Sequence, residues 1–165
     1  MNTKILQDCE LFQYLNSQQL DLFKNSIKES KLKKGEVVFS QGDTDNSLFI
    51  LIDGQVSIRF ILHVNTGEIR PIINKIDKGN FFGEFALIDA QPRTATAIAL
   101  EDSVLWRITK EDFDKVLEDN KEVGYIIVKN LLKILIQRIR QTDQQLQGAL
   151  LIGWNAYKFD KLDEK

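Results

Sequence analysis

The spacing of apolar residues divides the chain into three zones with different periods. Between Ile5 and Ser30, Leu11, Phe12, Leu15, Leu20, Leu22, Phe23 and Ile27 recur at three- and four-residue intervals, which predicts short helices. Asn16 and Ser17 stand where a helix over Gln18 to Ser30 would begin, and a side-chain oxygen there can accept from an orphan backbone N–H. From Lys34 to Arg107 the pattern changes to short apolar or alternating runs, each closed by a turn signal. Val37 to Phe39 stops at Gln41-Gly42-Asp43, Leu48 to Ile52 at Asp53-Gly54, and Val56 to Val64 at Asn65-Thr66-Gly67. Ile69 to Ile76 stops at Asp77-Lys78-Gly79, Ala95 to Leu100 at Glu101-Asp102, and Val104 to Ile108 at Thr109. Strands this short and this evenly spaced predict a small β-roll or jelly-roll, which also disposes of exposed strand edges.

Helical spacing returns from Glu111 to about Gln147, behind the cap and acidic first turn of Thr109-Lys110-Glu111-Asp112. Two helices fit, with a break near Asn120. Along the second, Val128, Leu132, Leu135, Ile139, Thr142 and Leu146 alternate four- and three-residue steps, the seam of a two-stranded coiled coil. Ile127, Leu131 and Ile134 mark a second stripe. Two apolar faces need two surfaces to cover them. A helix sunk in its own core is one solution, and a homodimer through the 128–146 helix is the sharper one. The tail from Leu150 to Phe159 is apolar and aromatic, either a packing element or a lid or docking strip carrying Trp154, Tyr157 and Phe159. The expected architecture is mainly β with flanking helices (α+β): N-terminal helices over 1–33, a β-roll over 34–108, C-terminal helices over 110–147, and a tail over 148–165.

Composition narrows the function classes. A chain of 165 residues is a prior for one domain, large enough to bury a core without disulfides or a structural metal. The formal net charge of −2 offers no field to attract a nucleic-acid backbone or an anionic membrane. One cysteine, Cys9, and the absence of a secretory pattern point to a cytoplasmic setting. Val123 to Ile139 is interrupted by Lys129, Lys133 and Arg138, so no membrane span is expected. His63 and Cys9 lie in distant segments, so neither a metal site nor a nucleophile–base pair is expected, and the chain does not read as an enzyme.

Candidate chemistry is concentrated in Phe82-Gly83-Glu84-Phe85-Ala86-Leu87-Ile88 and Pro92-Arg93-Thr94-Ala95-Thr96-Ala97. Gly83 allows close backbone approach, Glu84 to Ile88 fit one helical turn with free N–H groups, and Arg93 is a lone guanidinium in an apolar setting. Such an arginine can give a planar two-pronged contact to phosphate oxygens, and Glu84 can accept from a sugar hydroxyl. On residue types alone, a Glu–Arg surface pair beside a turn fits equally well.

The order of these residues resembles the phosphate-binding cassette of the cyclic-nucleotide-binding domain family, which includes the catabolite activator protein and the regulatory subunits of cAMP-dependent protein kinase. Gly35 to Asp43 is similar to that family's first strands and turn, Phe49 to Val56 to its next hairpin, and the resemblance runs from about Leu11 to Leu146. It implies a β-roll with N-terminal helices and a long C-terminal helix, cAMP or cGMP as ligand, and no other cofactor. It further implies that Arg93, Thr94 and the Ala86 N–H hold the cyclic phosphate. Glu84 and the Gly83 N–H would hold the ribose, Phe82 and Phe85 flank the turn, and Ala95 leaves room for ligand. Thr94 hints at cGMP, and the base stays open. Nineteen residues follow Leu146, too few for the DNA-binding domain of the related transcription factors. The resemblance thus implies a ligand-responsive module acting on an unidentified protein effector, or a ligand-independent scaffold on the same fold. Arg93→Ala is expected to lose binding while staying folded.

Overall fold

In the computed structural model, which describes residues 4–162, the chain divides into two compact units, one ending at Ile127 and one beginning at Val128. The first opens with α1 (Lys4–Asp8), a 3-10 turn over Glu10–Phe12, and α2 (Ser17–Asp21). Asn16 caps α2 as its sequence position predicts. Its Oδ1 accepts from the Gln19 N–H at 3.0 Å, and the Gln19 side chain accepts from the Asn16 N–H at 3.0 Å, a reciprocal capping box.

The helix expected through Ser30 stops at Asp21, and Lys28–Leu32 forms strand β1. This correction has a tertiary cause. Lys28, Glu29, Ser30 and Lys31 are all exposed, so no apolar alternation announces a strand. Instead β1 lies at a sheet edge, where it pairs with a single neighbour, and the Trp106 Nε1–H donates to Glu29 at 3.1 Å. Charged side chains on such an edge discourage pairing with another chain.

The remaining strands are β2 (Val37–Phe39), β3 (Leu48–Asp53), β4 (Gln55–Arg59), β5 (Leu62–Val64), β6 (Gly67–Ile69), β7 (Ile72–Asp77), β8 (Phe81–Phe82), β9 (Thr96–Ala99) and β10 (Ser103–Ile108). They make two antiparallel four-stranded sheets, ordered β1-β10-β3-β8 and β2-β9-β4-β7, with β5-β6 as a separate two-stranded ladder. The apolar runs Val56–Val64 and Ile69–Ile76 each break into two strands. The breaks fall at Phe60-Ile61 and at Arg70-Pro71, where Pro71 has no N–H to give a ladder. Phe39, Phe49, Leu51, Val56, Ile76, Phe82, Ala97 and Leu105 fill the core of the roll. A second apolar group joins the helices, with the Phe23 ring 5.0 Å from Phe12 and 6.1 Å from Phe113.

Thr109 caps α4 (Lys110–Asp119), its Oγ1 accepting from the Asp112 N–H at 3.2 Å, and Asn120 separates α4 from α5 (Lys121–Leu162). Sequence spacing ends that helix near Gln147, whereas the structure carries it 42 residues to Leu162. Gly148 costs a helix about 1 kcal/mol relative to alanine, and the Gln, Leu and Ala residues around it are good helix formers that outweigh this. In the second unit the predicted seam is open to solvent: Val128, Leu132, Ile139 and Leu146 are each more than half exposed, Thr142 is exposed and Leu135 half-buried. Leu131 and Ile134, of the other stripe, are buried. Trp154 is exposed on the same helix, while the side chains of Tyr157 and Phe159 lie outside the described residues.

Gly54, between β3 and β4, has φ +93, and a Cβ there would stand 2.7 Å from the Asp102 carbonyl oxygen and 2.8 Å from Ser103 Cα. Backbone strain and clash act together. Gly54→Ala is expected to lower stability by about 2 kcal/mol or more, read as a lower urea midpoint at unchanged slope.

Candidate ligand-binding site

The site grows out of β8, which pairs with β3 so that Phe82 lies opposite Phe49, their rings stacked at 5.5 Å and 20°. Gly83 ends the strand in a left-handed conformation, φ +82, and begins α3 (Glu84–Asp89). Within this turn Glu84, Ala86 and Leu87 are buried while Phe85 and Ile88 face outward. Ala90, also left-handed at φ +53, closes α3 with its N–H on the Ala86 carbonyl at 3.2 Å. The chain then reaches Arg93, whose backbone exchanges two 2.8 Å hydrogen bonds with the turn after β2: the Arg93 N–H donates to the Asp43 carbonyl and the Gly42 N–H to the Arg93 carbonyl.

The Arg93 side chain is only 2% exposed. Its Cζ lies 4.3 Å above the Phe39 ring and 5.6 Å from Phe49, a contact that the ring quadrupoles favour. Nη1 donates to the Gly83 carbonyl at 2.8 Å, and Nη2 to the Ser47 carbonyl at 2.7 Å and to Asp45 Oδ2 at 3.2 Å. Asp45 Oδ1 accepts in turn from Arg107 Nη2 at 2.8 Å and from the Ser47 hydroxyl at 2.9 Å, and the Ser47 oxygen accepts from Arg107 Nε at 2.7 Å. Gly83 is needed for this packing, since a Cβ there would stand 2.7 Å from Arg93 Nη1 and 3.1 Å from the Ser47 carbonyl.

Two guanidiniums share the Asp45 carboxylate, and the charge of Asp43 also acts on Arg93. Burial lowers the Arg93 pKa, the hydrogen bond and charge of Asp45 oppose this, and Arg107 adds to the lowering; a guanidinium nonetheless stays protonated in proteins. For Asp45, burial alone would raise the pKa. The Ser47 hydroxyl, the bond and charge of Arg107 and the charge of Arg93 together outweigh it and hold the carboxyl below its usual 3.8. One donor is left over: Arg93 Nε is buried with no hydrogen-bond partner in the protein, and Asn46 Oδ1, in the same loop as Asp45, is an acceptor in the same condition. Buried polar atoms are rarely left so.

The structure brings Phe82, Gly83 and Arg93 into direct contact or packing and buries Glu84, Ala86 and Ala95 beside them. Thr94 is exposed and Phe85 is 51% exposed, so these two reach the surface of the cassette. The expectation of a lone guanidinium is corrected, because Arg93 is ion-paired to Asp45, with Arg107 on its far side. Asp45, Ser47, Arg107, Phe39 and Phe49 were not among the sequence candidates. A charge amid Val104-Leu105-Trp106-Arg107-Ile108, at a core-facing alternation position, is the one signal that marks any of them. Among the described residues no group of His, Cys, Asp and Glu can hold a metal ion, and no helix is long and apolar enough to cross a membrane.

The fold is an antiparallel β-roll with a buried, ion-paired guanidinium beside a glycine turn. The family model described as "Cyclic nucleotide-binding domain" matches residues 29–120, and the chain belongs to that family. It is 29% identical over 136 residues to the cyclic AMP receptor protein of Thermus thermophilus, covering 82% of this chain and 60% of the receptor. It is 30% identical over 137 residues to the cGMP-dependent protein kinase of Plasmodium berghei, covering 83% of this chain and 15% of the kinase. The chain therefore spans less than two thirds of the length of these relatives. The crystal structure of the Thermus thermophilus catabolite activator protein superposes with a TM-score of 0.71 at 26% identity, covering 84% of this chain and 62% of that one.

The lowered Asp45 pKa sets a direction for acid stability. A carboxyl whose folded pKa lies below its unfolded value stabilises the fold in full above pH 3.8, and that contribution fades as pH falls through the lowered value. Thermal unfolding below about pH 4 should therefore show a smaller acid-induced loss for Asp45→Asn than for the unsubstituted chain.

Proposed function

We propose that this chain binds a cyclic nucleotide, cAMP or cGMP, at the cassette and acts as a ligand-responsive regulatory module without catalytic activity of its own. The observation that carries this reading is the buried Arg93 guanidinium, whose Nε–H has no acceptor within the protein. A cyclic phosphate carries the anionic oxygens that would supply that acceptor. In this reading Arg93, Thr94 and the Ala86 N–H hold the phosphate, Glu84 and the Gly83 N–H hold the ribose, and Phe82, Phe85 and Ala95 shape the turn around them. The partners follow from the same surfaces. The open seam over 128–146 of α5 fits a second copy in a homodimer, and a net charge of −2 favours a protein effector over nucleic acid. A cytoplasmic setting suits such a module. The other reading, a ligand-independent scaffold on the same fold, leaves the orphaned Nε–H without an explanation.

The structure changes how the site should be probed. Arg93 also joins the Gly83 turn to the Asp45–Ser47 loop, so Arg93→Ala would leave the Gly83 and Ser47 carbonyls without this donor, at a cost of about 1–3 kcal/mol each. Glu84→Gln keeps the side-chain shape and removes only the charge. Charge-assisted bonds contribute about 1.5–3 kcal/mol each, so Glu84→Gln should weaken binding by roughly tenfold or more. Calorimetric titration with cAMP and cGMP checks this, and an absence of heat with both nucleotides would return the chain to the scaffold reading. Light scattering on the same sample should give a dimer that Leu132→Glu converts to monomer, and an unsubstituted monomer ends the seam reading without touching the pocket.

A further inference from the structure

We infer that Arg107 is a positioning residue of the anion site: it neutralises Asp45, so that this carboxylate can orient Arg93 without repelling an incoming phosphate. The inference rests on the cyclic-nucleotide reading above and deepens it.

The argument starts from a conflict of charge. Arg93 and Asp45 by themselves form a neutral pair, 3.2 Å apart. A neutral pair gives a phosphodiester little net attraction, and its carboxylate faces the phosphate with the wrong sign. Asp45 is nevertheless held in its ionised form by its neighbours. The two edges of the carboxylate are divided between the two guanidiniums, Oδ2 toward Arg93 and Oδ1 toward Arg107, and the Arg107 contact is the shorter at 2.8 Å. Arg107 also reaches the second group that Arg93 uses. Its Nε fixes the hydroxyl of Ser47, the residue whose carbonyl accepts from Arg93 Nη2 at 2.7 Å. Every grip that Arg107 makes is therefore on a residue that holds Arg93.

Its place in the fold permits this role. Arg107 stands directly opposite Phe49 across the β3–β10 ladder, and directly opposed residues share one face of an antiparallel pair. That face carries Phe49, whose ring centroid lies 5.6 Å from Arg93 Cζ, and Phe82, stacked on Phe49. Unlike Leu105, which is fully buried two residues earlier, the Arg107 side chain is 42% exposed, so it fills no core volume that the roll depends on. What it supplies to the cluster is a charge and two hydrogen bonds.

The test is calorimetric titration of the full chain with cAMP and with cGMP, using Arg107→Ala, Arg107→Lys, Asp45→Asn and the double variant, with melting curves to confirm folding. Arg107→Ala should weaken binding about tenfold, and Arg107→Lys, which keeps the charge, should stay within about threefold of the unsubstituted chain. In the Asp45→Asn background, Arg107→Ala should change affinity by less than about twofold, because there is no charge left to neutralise. The assignment is overturned by unchanged binding in Arg107→Ala, by Arg107→Lys binding as weakly as Arg107→Ala, or by an equal loss in both Asp45 backgrounds. If Asp45→Asn does not fold, the alanine and lysine variants decide alone. An unsubstituted chain that binds neither nucleotide removes the binding reading and this assignment with it. An unsubstituted chain that binds normally while Arg107→Ala binds as well removes the assignment only.

Discussion

Burying one guanidinium is the constraint around which the rest of the roll is arranged. A cation taken out of water is costly unless its donors are met and its charge is balanced. For Nη1, Nη2 and the charge, Arg93 draws on groups from separate segments: the Gly83 carbonyl after β8, the Ser47 carbonyl and Asp45 before β3, and the faces of Phe39 and Phe49. Each of these imposes its own requirement. The approach of Nη1 excludes a Cβ at residue 83, the left-handed turn that glycine then allows launches α3, and the stacked rings fill the space that the planar side chain leaves. The loop before β3 and the cassette are thereby joined by a side chain and not by a strand ladder. A residue that only joined loops would have no reason to leave a buried donor unmet, and Arg93 leaves one.

Sequence and structure agree where local signals are strong. β2 falls on the residues its apolar run and closing turn mark out, and Asn16, Thr109 and Asn120 bound helices where their side-chain chemistry places them. Where they differ, the deciding partner is far away in the chain or the local signal is weak. β1 is a strand because β10 pairs with it, although nothing in Lys-Glu-Ser-Lys says so. The helix over 121–162 runs past Gln147 because a single glycine is a weak stop when strong helix formers flank it. The cassette residues were legible because Phe82 to Ala95 are consecutive enough for their order to carry information. Asp45 and Arg107, separated by 62 residues, become a pair only when β10 lies beside β3.

The second unit poses a different physical problem. A helix whose apolar residues are more than half exposed at Val128, Leu132, Ile139 and Leu146 leaves in water the surface that would stabilise it most if covered. Isolated helices derive little stability from propensity alone. The alternating four- and three-residue steps matter here because they are the period at which two helices keep one seam facing the other, while Thr142 weakens that seam at a single position. A seam of that period fits another helix of the same kind better than it fits a flat surface.

In the proposed reading, the site and the start of the C-terminal helices are joined through one strand. Arg107 lies on β10, and β10 runs into Thr109, whose hydroxyl starts α4. In that reading, a phosphate drawing on Arg93 would change the company of Asp45, and through Asp45 the anchoring of Arg107, one residue before Ile108 and two before the cap. Such a connection transmits nothing unless ligand binds two arrangements of that strand end with different affinity, because a ligand shifts an equilibrium only by its differential binding. The Asp45 carboxylate is suited to provide the difference. Its contact to Arg93, at 3.2 Å, is longer than its contact to Arg107, at 2.8 Å, so in the proposed reading an anion competing for Arg93 would act on the longer contact and leave the carboxylate with Arg107.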